Sequence, residues 1–461
     1  MCGIVGIFGH QEASTLAYLS LYALQHRGQE SAGIVTATGN RFHRHAGMGQ
    51  VNEVFTRPVL DQLEGSVAIG HVRYSTSGDS NSNNAQPVLL HHHRGPISIA
   101  HNGNLVNAAL VRDELESAGS IFQTTSDTET VLHLAAKAPH ADIVDALVEA
   151  LRPMRGAYSM LALAPGRMIA ARDPLGFRPL SLGKVDGAWV VASETCAFDL
   201  VGAEFVRDVE RGEIVVIDVG GLHSFKPFSA ARRAACFFEH VYFARPDSQL
   251  FGESVQAVRK RLGARLWKER PADIDVVVPV PDSGVCAALG FATAAGLPYD
   301  MGLVRNHYIG RTFIQPNQQI RNFGVRVKLN PVRDILAGKR IALIDDSIVR
   351  GTTSRKIVQL CREAGAREVH LRISCPPTVG PCRYGIDTPN EDELIASTQS
   401  EEEICRFVNA DSLGYLSLEG MLEVAGRSTD EVCTACWTND QPVDLPRAES
   451  AQLRLFEKTK R

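Results

Sequence analysis

RIALIDDSIVRGTT, residues 340–353, decides the fold of the second half of this 461-residue chain. Residues 341–344, after Arg340, form an apolar run of the kind found in strands buried on both faces, and Asp345 and Asp346 close it. Gly351, Thr352 and Thr353 then open a helix whose Ile357, Val358, Cys361 and Ala364 share one face. Gly365 stops that helix, and a further strand is predicted over 369–374. Strand, crossover helix and strand make a βαβ unit, so the second domain is expected to be α/β with a parallel sheet. Residues 274–280 repeat the arrangement, running into Pro281-Asp282-Ser283-Gly284 and an Ala-rich helix.

The chemistry of these two loops follows from where they lie. Two carboxylates at the C-terminal end of a strand suit ribose hydroxyls or a hydrated Mg²⁺, which prefers oxygen ligands and substrate phosphates. Helix-opening amides at Gly351, Thr352 and Thr353 suit a phosphate. An isolated Asp-Asp is as often a solvated acidic turn; its place in a βαβ unit separates this one from that reading.

Residues 1 to about 228 have a different rhythm. Strands are expected at 67–73 and 97–101 and helices at 127–136 and 141–151, followed by a meander over 159–163, 168–171, 188–193 and 213–219. The strand pattern fades in an Ala/Arg-rich stretch, which places a domain boundary between residues 2–230 and 231–461. His91, His92 and His93 precede Gly95-Pro96 between two strands and read as a solvated hairpin tip rather than a metal site.

Net charge is −4, with 48 Lys and Arg against 52 Asp and Glu, so no broad positive field favours nucleic acid or an anionic membrane as partner. No apolar run reaches the roughly 18 residues of a membrane span. The opening residues lack the basic and apolar regions of a secretory leader, so a cytoplasmic protein is expected. Ten cysteines at this length are too sparse for a disulfide scaffold and pose a question of catalysis or metal.

Cys2 becomes the first residue once Met1 is removed, and its own α-amine, with an ordinary pKa of about 7.7–8.0, can then serve as base for its thiol. An acyl-transfer site for an amino-acid amide needs a cation for the carboxylate, an anion for the ammonium and donors for the oxyanion. Arg73, Asp127, and Asn102 with Gly103 would fill those roles. Asp127 also fits a capping box in Ser126-Asp127-Thr128-Glu129, and spacing alone does not separate cap from ligand.

Five ordered motifs carry a resemblance: Cys2-Gly3-Ile4-Val5-Gly6, His26-Arg27-Gly28, His71-Val72-Arg73-Tyr74-Ser75-Thr76, His101-Asn102-Gly103-Asn104-Leu105 and Ser126-Asp127-Thr128-Glu129. The half that bears them resembles the glutaminase domain of the N-terminal-nucleophile amidotransferases. That resemblance implies a four-layer αββα fold in which Cys2 attacks the glutamine amide and Asn102 and Gly103 form the oxyanion hole. It further implies that Arg27, Gly28, Arg73, Thr76 and Asp127 bind glutamine. The second half resembles the type I phosphoribosyltransferases. There the resemblance assigns Asp282, Ser283 and Gly284 to a pyrophosphate loop, and Asp345, Asp346, Ser347, Gly351, Thr352 and Thr353 to the phosphoribosylpyrophosphate loop. One Mg²⁺ per subunit would sit at Ser283, Asp345 and Asp346.

Residues 305–316 resemble that family's mobile lid, with Arg305 and Tyr308 toward substrate. The usual Lys-Asn-Arg-Tyr is here Arg305-Asn306-His307-Tyr308. Arginine for lysine keeps charge but not donor geometry, and His307 can be neutral at pH 7.

Cys433 and Cys436 form a CxxC, with Cys382 and Cys236 at a distance. Spacing leaves zinc, an iron–sulfur cluster and a redox pair open, zinc ranking first. The family resemblance, strengthened by Phe243-Ala244-Arg245-Pro246-Asp247-Ser248, implies instead one [4Fe–4S] cluster per subunit with a structural role. Over nearly the whole chain the two resemblances imply conversion of glutamine, phosphoribosylpyrophosphate and water to 5-phosphoribosylamine, glutamate and pyrophosphate, the first step of de novo purine synthesis. They also imply ammonia passing between two sites, purine-nucleotide feedback inhibitors and a homotetramer. An amidotransferase with a sugar-phosphate isomerase partner is disfavoured by the Asp345-Asp346 loop, and a non-catalytic nucleotide sensor by the intact motifs.

Overall fold

Side-chain alternation along the strand Gly3–Phe8 organises the first half. Ile4 packs between two sheets with Ile69, Leu161 and Met168, while Val5 and Ile7 face a helix layer with Ala17 and Leu21. The computed structural model describes residues 1–74, 79–229, 232–306 and 328–445.

Gly3–Phe8 lies at the centre of a seven-stranded antiparallel sheet ordered Glu204–Asp208, Ser181–Val185, Ala188–Ala192, Gly3–Phe8, Val67–Arg73, Ser31–Thr38, Arg41–Met48. A six-stranded antiparallel sheet faces it, ordered Gly221–Phe225, Ile214–Asp218, Arg167–Arg172, Gly156–Ala164, Gly95–Leu105, Val88–His92. Helices Ala13–Ala23 and Cys196–Val201 cover the first sheet. Ala108–Ser117, Thr128–Lys137 and Ile143–Leu151 cover the second. This is the expected αββα arrangement. The expected meander is corrected in one respect: Ala188–Ala192 joins the sheet of Gly3–Phe8, and the chain returns to the other sheet at Ile214–Asp218. Apolar alternation is satisfied equally against either sheet, so it cannot tell which one a strand joins.

In the second half, Val276–Pro279, Arg340–Asp345, Glu368–Ile373 and Ser412–Tyr415 form a parallel sheet in that order. Val276–Pro279 is buried throughout, as a continuous apolar run requires. Helices Val255–Glu269, Val285–Ala295 and Thr352–Glu363 pack against it in one core. The chain end returns to the start of this half, where Ala235–Cys236 pairs in parallel with Val432–Cys433. The expected division at residues 230–231 and the lid from 307 to 316 lie outside the described residues. No helix among the described residues is long and apolar enough to cross a membrane.

Candidate functional site

Cys2 precedes the central strand, whose pairing starts with Gly3 opposite Val72. It is 7% exposed. Its backbone N–H donates to Asn102 Oδ1 at 3.3 Å, and its Sγ lies 3.8 Å from the Tyr74 carbonyl. The other end of the same amide, Asn102 Nδ2, is buried without a hydrogen-bond partner. Leaving such a donor unpaired costs about 1–3 kcal/mol, a cost removed when an oxygen bearing negative charge arrives beside it. The sequence thus brings to Cys2 a donor of the kind an oxyanion hole needs.

Asp127 precedes the helix Thr128–Lys137, but its carboxylate makes no cap hydrogen bond to that helix. Oδ2 accepts from the Leu105 N–H at 3.0 Å and lies 3.6 Å from His101 Nδ1. Glu129 does not complete a capping box either; it accepts from Gln123 N, Thr124 N and Thr124 Oγ1 in the preceding loop. The choice that spacing left open is settled against the cap. Burial works against the Asp127 charge, but His101, the Leu105 N–H and the Thr128 hydroxyl outweigh it and hold the carboxyl below its ordinary range. Arg73 ends the strand Val67–Arg73 at 3% exposure and donates to the Asp79 carbonyl at 3.0 Å. Gly28 packs on the Arg73 backbone, where a Cβ would lie 2.5 Å from the Arg73 carbonyl carbon. Thr76 lies outside the described residues.

Arg27, expected to touch glutamine, is placed differently. It is 0% exposed, and its Nε donates to the Cys2 carbonyl at 2.9 Å. Its guanidinium forms ion pairs with Glu194 and with Glu239, the latter at 2.9 Å. Glu239 in turn takes Arg178 Nη1 at 3.1 Å. Sequence reading missed Glu194, Glu239 and Arg178. A buried guanidinium must find carboxylates, but nothing in local spacing indicates which.

Both phosphate-loop candidates leave the C-terminal ends of neighbouring parallel strands, Val276–Pro279 and Arg340–Asp345, the edge at which open α/β sheets bind ligands. Asp345 and Asp346 are 8% and 5% exposed, and among the described residues neither forms an ion pair. Burial first, and then the neighbouring Asp346 charge, push the Asp345 carboxyl well above its ordinary range; a hydrogen bond from Ser283 offsets part of this. The Ser347 hydroxyl donates to Asp346 Oδ1 at 2.6 Å. Gly351 begins the helix Thr352–Glu363 with φ +72° and no side-chain cap, and Thr352 and Thr353 are exposed. Its first-turn amides are therefore open to an anion. Gly284 precedes the helix Val285–Ala295, and Asp282 pairs with Arg305. Tyr308 lies outside the described residues.

Cys236 and Cys433 stand opposite each other across the parallel bridge, and Cys382 Sγ accepts from the Tyr384 N–H at 3.4 Å. Burial pushes the Cys236 thiol up to about 11, Arg178 offsetting part of the rise and Glu239 and Cys382 adding to it. Cys433 is raised by burial too, then by Cys236 and Cys382, and Cys436 by burial and then by Cys433, Cys382 and Cys236. The four cysteines thus gather in one place. Among the described residues, no three His, Cys, Asp or Glu side chains close up tightly enough to hold a metal ion.

Comparison with known proteins finds relatives over nearly the whole chain. The glutamine amidotransferase domain family matches residues 71–199. The chain is 49% identical to amidophosphoribosyltransferase of Bacillus subtilis over 449 residues, 96% of this chain and 94% of that one. It is 50% identical to the chloroplastic amidophosphoribosyltransferase of Glycine max over 454 residues, 98% of this chain and 80% of that one. Among solved structures, the Bacillus subtilis glutamine phosphoribosylpyrophosphate amidotransferase complexed with ADP and GMP superposes with a TM-score of 0.92 at 48% identity, covering 97% and 98% of the two chains.

Proposed function

This chain belongs to the amidophosphoribosyltransferase family, and from that premise we propose how its two sites divide the reaction. The enzyme converts glutamine, phosphoribosylpyrophosphate and water to 5-phosphoribosylamine, glutamate and pyrophosphate, the first step of purine biosynthesis. One observation carries the division of labour. A single chain holds Cys2 beside the unpartnered Asn102 amide in one half and the buried Asp345 and Asp346 at the ends of parallel strands in the other.

With Met1 removed, the Cys2 α-amine takes the thiol proton and Sγ attacks the glutamine amide carbon. Asn102 Nδ2 and the Gly103 N–H hold the oxygen that becomes negative, while Asp127 and Arg73 hold the α-ammonium and α-carboxylate. Ammonia leaves with the returned proton, and water hydrolyses the thioester to glutamate. Neutral ammonia then displaces pyrophosphate from the ribose C1. It reaches the second site through a closed passage, because in water most of it would be protonated and no longer nucleophilic.

In the second half, Asp345 and Asp346 hold ribose hydroxyls and the amides of Gly351, Thr352 and Thr353 hold the 5′-phosphate. Asp282, Ser283 and Gly284 face the pyrophosphate, Ser347 steadies Asp346, and Arg305 stands beside that loop through its pair with Asp282. The pair Asp345 and Asp346, buried without an ion-pair partner among the described residues and joined by Ser283, is a donor set that fits Mg²⁺. Bound there, Mg²⁺ would neutralise charge on the pyrophosphate leaving group. Cys236, Cys382, Cys433 and Cys436 fit a [4Fe–4S] cluster. Their gathering supports four-thiolate ligation, and the family resemblance carries the choice of a cluster over zinc. The cluster would tie the chain end to the start of the second half.

The ADP and GMP complex of the Bacillus subtilis relative supports purine nucleotides as feedback inhibitors here. A homotetramer in the cytoplasm, a reducing compartment suited to free thiols, completes the reading.

Pyrophosphate release measured with glutamine or phosphoribosylpyrophosphate omitted in turn tests the coupled reaction. Cys2→Ala is expected to abolish glutamine-dependent synthesis and to retain synthesis from ammonia; loss of both would overturn two separable sites. Labelled external ammonium that exchanged freely with glutamine nitrogen during turnover would overturn the passage. Iron and sulfide analysis with absorbance near 400 nm tests the cluster, and zinc without iron would overturn it.

A further inference from the structure

The wall behind the oxyanion hole comes from the other half of the chain. Gly385 has φ +105°, and a Cβ there would lie 2.8 Å from both the carbonyl carbon and oxygen of Gly103 and 3.0 Å from its Cα. Only a residue without a side chain fits so close to that backbone. One residue after Gly103 and two before Gly385, the Asn104 Nδ2 donates to the Arg383 carbonyl at 2.9 Å. The segment is also held by the first half. Arg178 Nε and Nη2 donate to the Tyr384 carbonyl at 3.0 and 2.6 Å, and the Tyr384 ring stacks on Phe177 at 4.3 Å between centroids. Tyr384 is 1% exposed.

Resting on the reading of Asn102 and Gly103 as the oxyanion hole, we propose that Arg383, Tyr384 and Gly385 form a positioning element for that hole. The glutamine site is then complete only when the second domain is docked on it. Stacking and backbone contacts supply place rather than charge. Oxyanion donors must stand about 2.7–3.1 Å from an oxygen that exists only in the transition state, so a fixed backbone is what they require. Arg178 links the same element to Glu239, and Glu239 to Arg27 on the Cys2 carbonyl. Nucleophile and hole are thus steadied from one body.

The test compares three variants in the full-length enzyme. Gly385→Ala is expected to lower kcat for glutamine hydrolysis about 10–100-fold, the effect of a small misplacement at a reacting centre. Alkylation of Cys2 by iodoacetamide forms no tetrahedral oxyanion, so its rate stays within about twofold of wild type, as does ammonia-dependent synthesis. Asn104→Ala, which removes only the bond to the Arg383 carbonyl, is expected to give the same pattern at about 3–10-fold, and it decides the matter where Gly385→Ala does not fold. Asn102→Ala tests the underlying reading: hydrolysis that survives it removes the oxyanion hole and with it the proposal. Hydrolysis lost in Asn102→Ala but unchanged in the other two overturns the positioning role alone. Equal loss of hydrolysis, alkylation and ammonia-dependent synthesis overturns it as well, because general damage would then account for the effect.

Discussion

Asn102 faces two ways, its Oδ1 accepting from the Cys2 N–H while its Nδ2 stays buried and unpaired. Such a donor is a cost to the resting protein and an asset only when an oxyanion forms. Asn102→Ala is therefore expected to cut kcat for glutamine hydrolysis by about 10²–10³, equivalent to about 2.7–4 kcal/mol, with little loss of stability. Steady-state kinetics beside a denaturation curve check both halves of that statement; a variant that unfolds early without losing kcat would contradict it. Cys2 and the pair Asp345 and Asp346 could be singled out as candidates because Cys2 precedes one strand and the pair closes another. Asp127 was legible only as a choice between two roles. Its oxygen meets Leu105 N from 22 residues away, a contact no spacing rule encodes.

The strand-to-helix turns of the second half show what an element decides. Gly351 adopts φ +72°, and a Cβ there would lie 2.9 Å from Ile395 Cδ1 and 3.1 Å from Phe407 Cε1. Left-handed backbone costs a residue with a side chain about 1–2 kcal/mol. Gly351→Ala is expected to lower stability by about that amount and to raise the KM for phosphoribosylpyrophosphate, as the helix-opening amides shift from the phosphate. An unchanged KM would remove Gly351 from that site. The βαβ unit could be read because its period, its stop at Gly365 and its carboxylates are all local. Ala188–Ala192 could be read as a strand but not assigned to its sheet, since both sheets accept the same alternation, and its hairpin partner Ser181–Val185 was not read from sequence.

At the scale of the whole molecule, the two halves meet over a buried charge network in which Glu239 answers Arg27 and Arg178. Removing one partner of a buried pair typically costs about 3–5 kcal/mol, and Glu239→Gln is expected to lose about that much. Burial opposes the Glu239 charge, but Arg27 and Arg178 outweigh it and hold the carboxyl below the ordinary glutamate range. A depressed folded-state pKa stabilises above the unfolded value and is lost as pH falls through the folded one. The deficit of Glu239→Gln relative to wild type should therefore be flat from neutral pH to about pH 5 and shrink only below the ordinary glutamate range of about 4.3. Denaturant midpoints across pH check this, and a deficit that vanished near pH 6 would contradict it. Glu239 lies 212 residues from Arg27 and 61 from Arg178, so the network has no sequence signature. The sequence by itself determined two domain types, because each rests on local order along strands, turns and helices, and it singled out candidate residues without deciding which of them meet. Only the tertiary structure decided that Arg27 steadies Cys2 from beneath and that Gly385 stands behind Gly103. Contacts between halves depend on how two finished cores pack, and packing joins residues that the chain keeps apart.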